Sequence, residues 1–340
     1  MPSADNAILY YEAGQSLTSS IALTDSGDHL VFNAADNLWS DKSGYNPDVK
    51  PNGVLTGLVV SPATSGTNDL VDLSSGTLNL NGVETTITAD TDLICLRGAT
   101  TDICRINSIT ITSAGAVAVV SGVDSTAFSE TRGAAGGPPW IPTGSVEVAQ
   151  VRLSAIANAA VLATEIKAIP NTHREMATFP TYETNFSTVE SGVLGYAGVT
   201  FNSALMAAHS DDTGTTIKTK KVYAQYYEPE FAQIPKSSDF KRPANSKSVS
   251  STQMYGGAIG SVSSSLGQGS FKAYLNDGVT DGLLSEEGNK LWFKFKPDRL
   301  KSPYVLCQGY LGVVEQYPAG SSIMADCTIS AEISGDRVSG

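Results

Sequence analysis

Residues 323–333 hold the pattern that most restricts how this chain folds. Ile323, Ala325, Cys327, Ile329, Ala331 and Ile333 are apolar, and Met324, Asp326, Thr328, Ser330 and Glu332 between them are mostly polar. A strand points successive side chains to opposite faces, so this period of two predicts one packed face and one wet face. Upstream, Leu291, Phe293 and Phe295 alternate with Lys290, Lys294 and Lys296, interrupted only by Trp292. Pro297 has no N–H to give a ladder and ends that segment. Between the two lies a run from Tyr304 to Val314 that is apolar on both faces and carries Gly309 and Gly312. Three successive strands predict an antiparallel sheet at the C-terminal end.

The bulk numbers fit a β-rich chain. Charged residues make up 16% of 340, against about 25% for an average globular protein, and Ser, Thr, Gly and Asn fill the gap. The net charge is −12, which disfavours a protein that grips nucleic acid by counterion release. It is compatible with one past which nucleic acid slides. The acidity is front-loaded: residues 1–50 carry seven acids against Lys42 and Lys50, and residues 171–340 carry seventeen acids against fifteen bases. The four cysteines, Cys95, Cys104, Cys307 and Cys327, have no metal-ligand spacing. They are expected to be reduced and buried, with a bridge between Cys95 and Cys104 as the alternative. The first residues lack the basic and apolar regions of a secretory leader, and no apolar run is long enough to span a bilayer.

Two textures divide the chain. Residues 52–170 read as an additional β domain set into a core formed by residues 1–51 and 171–340. Its strongest signal is Asn81-Gly82 between Leu78-Asn79-Leu80 and Val83-Glu84-Thr85, since Asn-Gly supplies the positive φ angles of a two-residue hairpin turn. A second hairpin is expected around Ser113-Ala114-Gly115. The face change between Val148 and Val151 predicts a bulge. Residues 155–169, rich in Ala, are the best helix candidate, with two strands as the alternative, and residues 203–208 and 281–287 are shorter ones. In the core, residues 215–227 read as a strand bearing Tyr223, Tyr226 and Tyr227. Lys236, Lys241, Arg242 and Lys247 lie in what reads as a basic loop, and residues 246–265 are rich in Ser and Gly.

The search for chemistry returns little. His29, His173 and His209 are scattered, and no nucleophile elbow, phosphate-binding loop, dinucleotide fingerprint or HExxH occurs. Asp211-Asp212 and Asp277 with Asp281 have the chemistry to hold a hard cation, but Asp in turns more often serves its own backbone. Glu228 with Glu230 and Glu286-Glu287 define no catalytic dyad, because the spacing that matters there is spatial. The three tyrosines and Trp140 allow a sugar-binding module, while aromatic residues on strands more often pack in cores and interfaces. No enzyme activity, cofactor or metal is expected.

The segment from Phe271 to Gly278, the strand Leu291-Trp292-Phe293-Lys294-Phe295 ending in Pro297-Asp298, the run from Tyr304 to Leu311 and the closing strand from Ala325 together resemble the major tail (tail tube) proteins of long, non-contractile-tailed bacteriophages. The likeness covers about the last seventy residues. It implies a mainly β fold: an antiparallel β-sandwich or curled-sheet tail-tube domain with a short flanking helix, plus an inserted β domain facing outward. It implies a structural virion protein, assembled in the host cytoplasm, whose hexameric rings stack into the tail tube. Its partners would be copies of itself and other tail proteins, with double-stranded DNA passing through unbound and no membrane involved. Asp326 and Glu332 become candidate lumen-facing acids, and Lys236, Lys241, Arg242 and Lys247 a candidate contact between subunits. The alternatives are a head decoration, neck or tail-terminator protein, and a carbohydrate- or receptor-binding β module.

Overall fold

The computed structural model describes residues 6–338, except 29, 40–46, 100–102, 155–156, 169–183, 189–195, 203, 206–220 and 256. The protein is mainly β, 57% strand, and every strand pairing among the described residues is antiparallel.

The C-terminal alternation builds the largest sheet. Its order is Tyr227–Gln233, Ile8–Leu17, Lys290–Lys296, Tyr304–Gln316, Met324–Ser330, Gly269–Tyr274 and Ser237–Lys241, with Asp336–Val338 added against Tyr304–Gln316. The first and last strands of that path are neighbours in the chain, separated only by Ile234, Pro235 and Lys236. Laid flat at about 4.8 Å per strand, the two margins would stand about 29 Å apart. Three intervening residues reach at most about 14 Å. The sheet must therefore curl. Residues 227–241 form its corner, one length of chain that bonds to one margin and then to the other. At that corner the Ile234 amide donates to the Leu9 carbonyl, and the Tyr274 amide to that of Lys236, both at 2.9 Å.

The ring contacts agree with the curl. Phe271 and Phe293 stand three strands apart in the sheet, yet their centroids are 5.8 Å apart. Phe240 and Phe295, four strands apart, stack at 4.5 Å. The enclosed core holds Leu9, Tyr11, Leu291, Phe293, Leu311, Cys327 and Ile329. Gly309 fits it by having no side chain, since a Cβ there would lie 2.7 Å from Ile329 Cγ2.

Trp292, the residue that interrupts the alternation, faces the other way. It is buried edge-on to Trp39, centroids 4.8 Å apart and planes at 90°. Trp39 packs against both the curled sheet's core and that of a second sheet. The second sheet runs Thr184–Thr188, Tyr196–Phe201, Val31–Leu38, Ile21–Asp25, Val222–Gln225 and Asp48–Pro51, around Phe32, Val199 and Phe201. Beside Trp292, the pairing of Ile8–Leu17 slips between Glu12 and Gly14. The Glu12 carboxylate, 1% exposed, accepts the Trp292 amide at 3.0 Å and the Gln15 side chain at 2.7 Å.

Strands between residues 53 and 168 pair only with one another and share a core of Val54, Leu73, Leu78, Ile109, Val151 and Leu153. Asn81 and Gly82 have φ of 53° and 78°, and Leu80 pairs with Val83, the turn that Asn-Gly favours. The pairing slips at Glu147–Ala149, at the near edge of the bulge expected between Val148 and Val151. This turn also meets the core sheets: Ser20 Oγ donates to the Gly82 carbonyl at 3.0 Å, Tyr223 OH to Asn81 Oδ1 at 3.2 Å, and the Asn52 amide to the Lys221 carbonyl at 2.8 Å.

The interior of residues 53–168 also holds ions. Glu147, 5% exposed, is paired with Arg132 and accepts the Ser108 hydroxyl. Arg132→Ala leaves that carboxylate buried with neutral donors only. It is expected to destabilise these sheets by about 3–5 kcal/mol. Arg152→Ala, whose partner Glu130 is 76% exposed, should cost under about 1 kcal/mol. Urea unfolding of the two variants side by side checks both.

The helix expectations need correction. Among the described residues there is no α-helix; the helical pieces are the 3-10 turns Ala163–Glu165 and Leu284–Glu286, and the flanking helix is reduced to these. Within 155–169 the chain instead forms a short strand, Ile166–Ala168, paired with Val146–Leu153. Ala157, Ala159 and Ala160 are exposed and offer little apolar area to drive a helix onto the body. Of residues 203–208, all but Ala204 and Leu205 lie outside the described residues.

Candidate assembly surfaces

The Ser/Gly-rich stretch is not a loop. Ala244–Met254 and Gly257–Gly267 pair along their whole length in a two-stranded ribbon that belongs to no other sheet. At about 3.3 Å per residue it is about 36 Å long. Every residue from 245 to 265 whose exposure is described is exposed. Lys247 is the one charge between residues 244 and 267. On one face, serine hydroxyls bridge across the ladder: Ser246 to Ser265 at 3.0 Å, Ser248 to Ser263 at 2.6 Å, and Ser250 to Ser261 at 2.7 Å. On the other, Val249 stands opposite Val262, 73% and 65% exposed. Met254 pairs with Gly257, which puts Tyr255 in the turn at the tip, fully exposed.

Such a ribbon is poorly provided for as a solitary element. Two strands without a packed face are marginal in water. Strand margins free of charge invite another chain to pair. The alternation of Ser with Val and Thr still makes it a strand, because it leaves the backbone extended while the ladder supplies the hydrogen bonds.

The four basic residues therefore do not share one loop. Lys241 ends Ser237–Lys241, Arg242 sits in the junction, and Lys247 lies on the ribbon; Lys236 lies at the corner before Ser237. Arg242 donates to the Gly335 carbonyl at 2.6 Å, so it fastens the C-terminal end and is not a free contact. The basic-loop expectation is corrected to that extent.

Asp326 does lie on the outer face of Met324–Ser330, where it faces Lys272 across the ladder and accepts Gln316 Nε2 at 2.6 Å. Glu332 falls beyond the end of that strand and accepts Lys290 Nζ at 2.9 Å. The same outer face carries Lys294, set between the rings of Tyr304 at 4.5 Å and Phe231 at 5.5 Å. Burial there, with Lys296 nearby, lowers the Lys294 pKa. Each candidate acid thus stands beside a lysine, and the two add little net charge to that face.

The remaining chemical candidates separate in space. Tyr226 is buried in the second sheet's core, Tyr223 bonds Asn81, and Tyr227 is exposed on a sheet margin; they form no shared platform. Glu228 and Glu230 flank Pro229 on that same margin strand, where a proline is tolerated. Asp281 accepts the amides of Asn276, Asp277 and Gly278, and Asp277 those of Val279 and Thr280. The Thr280 hydroxyl and these amides hold the Asp277 carboxyl down at about 2. The stability it lends is present above its ordinary value and lost as pH falls through about 2. Among the described residues no cluster of His, Cys, Asp and Glu is arranged to hold a metal. His29, His173, His209, Asp211 and Asp212 lie outside them. All four cysteines are unbridged and buried, and burial pushes Cys95, Cys307 and Cys327 up to about 12. Among the described residues no helix is long and apolar enough to cross a membrane.

Compared with protein-family models, with curated proteins and with solved structures, the chain matches none of them.

Proposed function

We propose that this chain is a structural virion protein whose copies stack as rings, hexameric by the family resemblance, into the phage tail tube through which the genome is delivered. The observation that carries the reading is the exposed, nearly uncharged ribbon of residues 244–267, an arm that finds its packing only on another molecule. A knob on one part of a protein that fits a different part of the next copy makes a heterologous contact, and repeated heterologous contacts build an open filament. Ring closure would supply neighbours for the margins of the curled sheet. Double-stranded DNA would pass without specific binding, kept moving by the net charge of −12 rather than by Asp326 and Glu332 alone.

Residues 52–170 would project outward from the tube wall. Their removal, with Pro51 rejoined to Asn171 through a short Gly-Ser linker, is expected to leave tubes that still polymerise. Insoluble chain would instead place that domain in the tube's own core.

Negative-stain electron microscopy of the overexpressed chain tests the reading. Hollow filaments are expected. Single rings at every concentration would favour a neck, decoration or terminator role, and monomers at every concentration would reject assembly.

A further inference from the structure

The ribbon does not spring from an arbitrary place. It continues the pair Ser237–Lys241 and Gly269–Tyr274, leaving it at the Lys241–Ser270 end. At the opposite end of that pair, where Ser237 faces Ala273, the surface opens into a cavity of about 440 Å³. Ile8, Pro235, Lys236, Ser237, Tyr274 and Ser322 line it, and the lining is more polar than apolar. It lies at the corner where the two margins of the curled sheet meet. One molecule thus carries an exposed aromatic tip at one end of a continuous ribbon and an open cavity at the other.

The two match in chemistry. A tyrosine has an apolar ring and a polar hydroxyl, and it suits sites with one dry and one wet side. Pro235 and Tyr274 offer faces to the ring, and Lys236 adds a cation of the kind that pairs with aromatic rings. Ser237 and Ser322 offer partners for the phenol hydroxyl. The volume falls within the range of cavities that enclose ligands larger than one side chain, leaving room for Gly257 behind Tyr255. Because tip and cavity sit at opposite ends, the contact is head to tail and propagates along one direction.

We infer that Tyr255 of one copy anchors in the cavity between Ile8, Lys236, Ser237, Tyr274 and Ser322 of the next copy along the tube axis. This rests on the assembly reading above and adds to it the occupant, the cavity and the polarity of stacking.

The test uses the full chain with Tyr255→Cys and Ser322→Cys combined. Both positions are exposed, and the four native thiols are buried, so background cross-linking is low and folding is spared. Under mild oxidation the double variant should give a ladder of dimers, trimers and longer species on a non-reducing gel, and either single variant should not. Tyr255→Ala should raise the concentration needed for filaments at least about tenfold, the loss expected for a buried aromatic anchor, while Tyr255→Phe stays close to wild type. Filaments that form normally in the double variant yet give no ladder overturn this docking and leave the tube reading intact. A shifted monomer band at high dilution, meaning an arm folded back on its own cavity, also overturns it. A wild-type chain that stays monomeric overturns both.

Discussion

A chain lacking residues 245–266, with Ala244 joined to Gly267 by a two-residue turn, is expected to fold normally and to form no filaments at all. The ribbon contributes nothing to the three buried cores, so its loss should move the unfolding midpoint by no more than a degree or two. It holds the longest exposed, nearly uncharged ladder among the described residues, so its loss should remove most of the surface available for axial contacts. Sedimentation and electron microscopy read the second effect, and thermal unfolding the first. Filaments of ordinary length from the shortened chain would show that another surface does the stacking.

The second large effect concerns the joint between the two core sheets. Trp292→Ala is expected to cost about 3–5 kcal/mol, the usual range for emptying a buried aromatic site. The ring is 2% exposed and stands against Trp39, which bridges both cores, so the neighbours cannot collapse into the gap without parting the sheets. For a unit of about 200 residues each kcal/mol lowers the midpoint by about 2–4 °C, which makes a fall on the order of 10 °C. Fluorescence of Trp39 should report it. The transition reported by Trp140, in residues 53–168, should stay in place. A uniform shift of both would mean that the two parts unfold as one.

Much of the large sheet was legible in the sequence because its strands are long, local and amphipathic. The alternation at residues 323–333 marks the inner face through Ala325, Cys327 and Ile329. The lysine alternation at residues 290–296 marks another strand, and in residues 53–168 Asn81-Gly82 marks the turn between Gly76–Leu80 and Val83–Ile87. The curl was not legible. It depends on Tyr227–Gln233 and Ser237–Lys241 lying at opposite margins, and no local period reports which strands become neighbours across such distances. Pro229 hid the first of these strands, since proline ordinarily argues against one, and only its place on a margin makes it admissible. The ribbon was not legible for a related reason. Ser and Gly are weak strand formers, and a ladder held by serine pairs has no apolar alternation to announce it. Paired periods of Ser at 246, 248 and 250 against 261, 263 and 265 were the one available signal. In residues 155–169 helix propensity lost to the open margin beside Val146–Leu153. Nor did the sequence single out Glu12, whose role depends on a slip in its own strand and on the Trp292 amide, 280 residues away.

The corner formed by residues 227–241 has a mechanical consequence. A pull on the arm's tip is delivered lengthwise down Ser237–Lys241 and Gly269–Tyr274, parallel to the rungs' rows rather than across their free end. Rungs loaded in that way share the strain at once, whereas rungs peeled from one end fail singly. A tether built like this resists traction far better than its few contacts suggest.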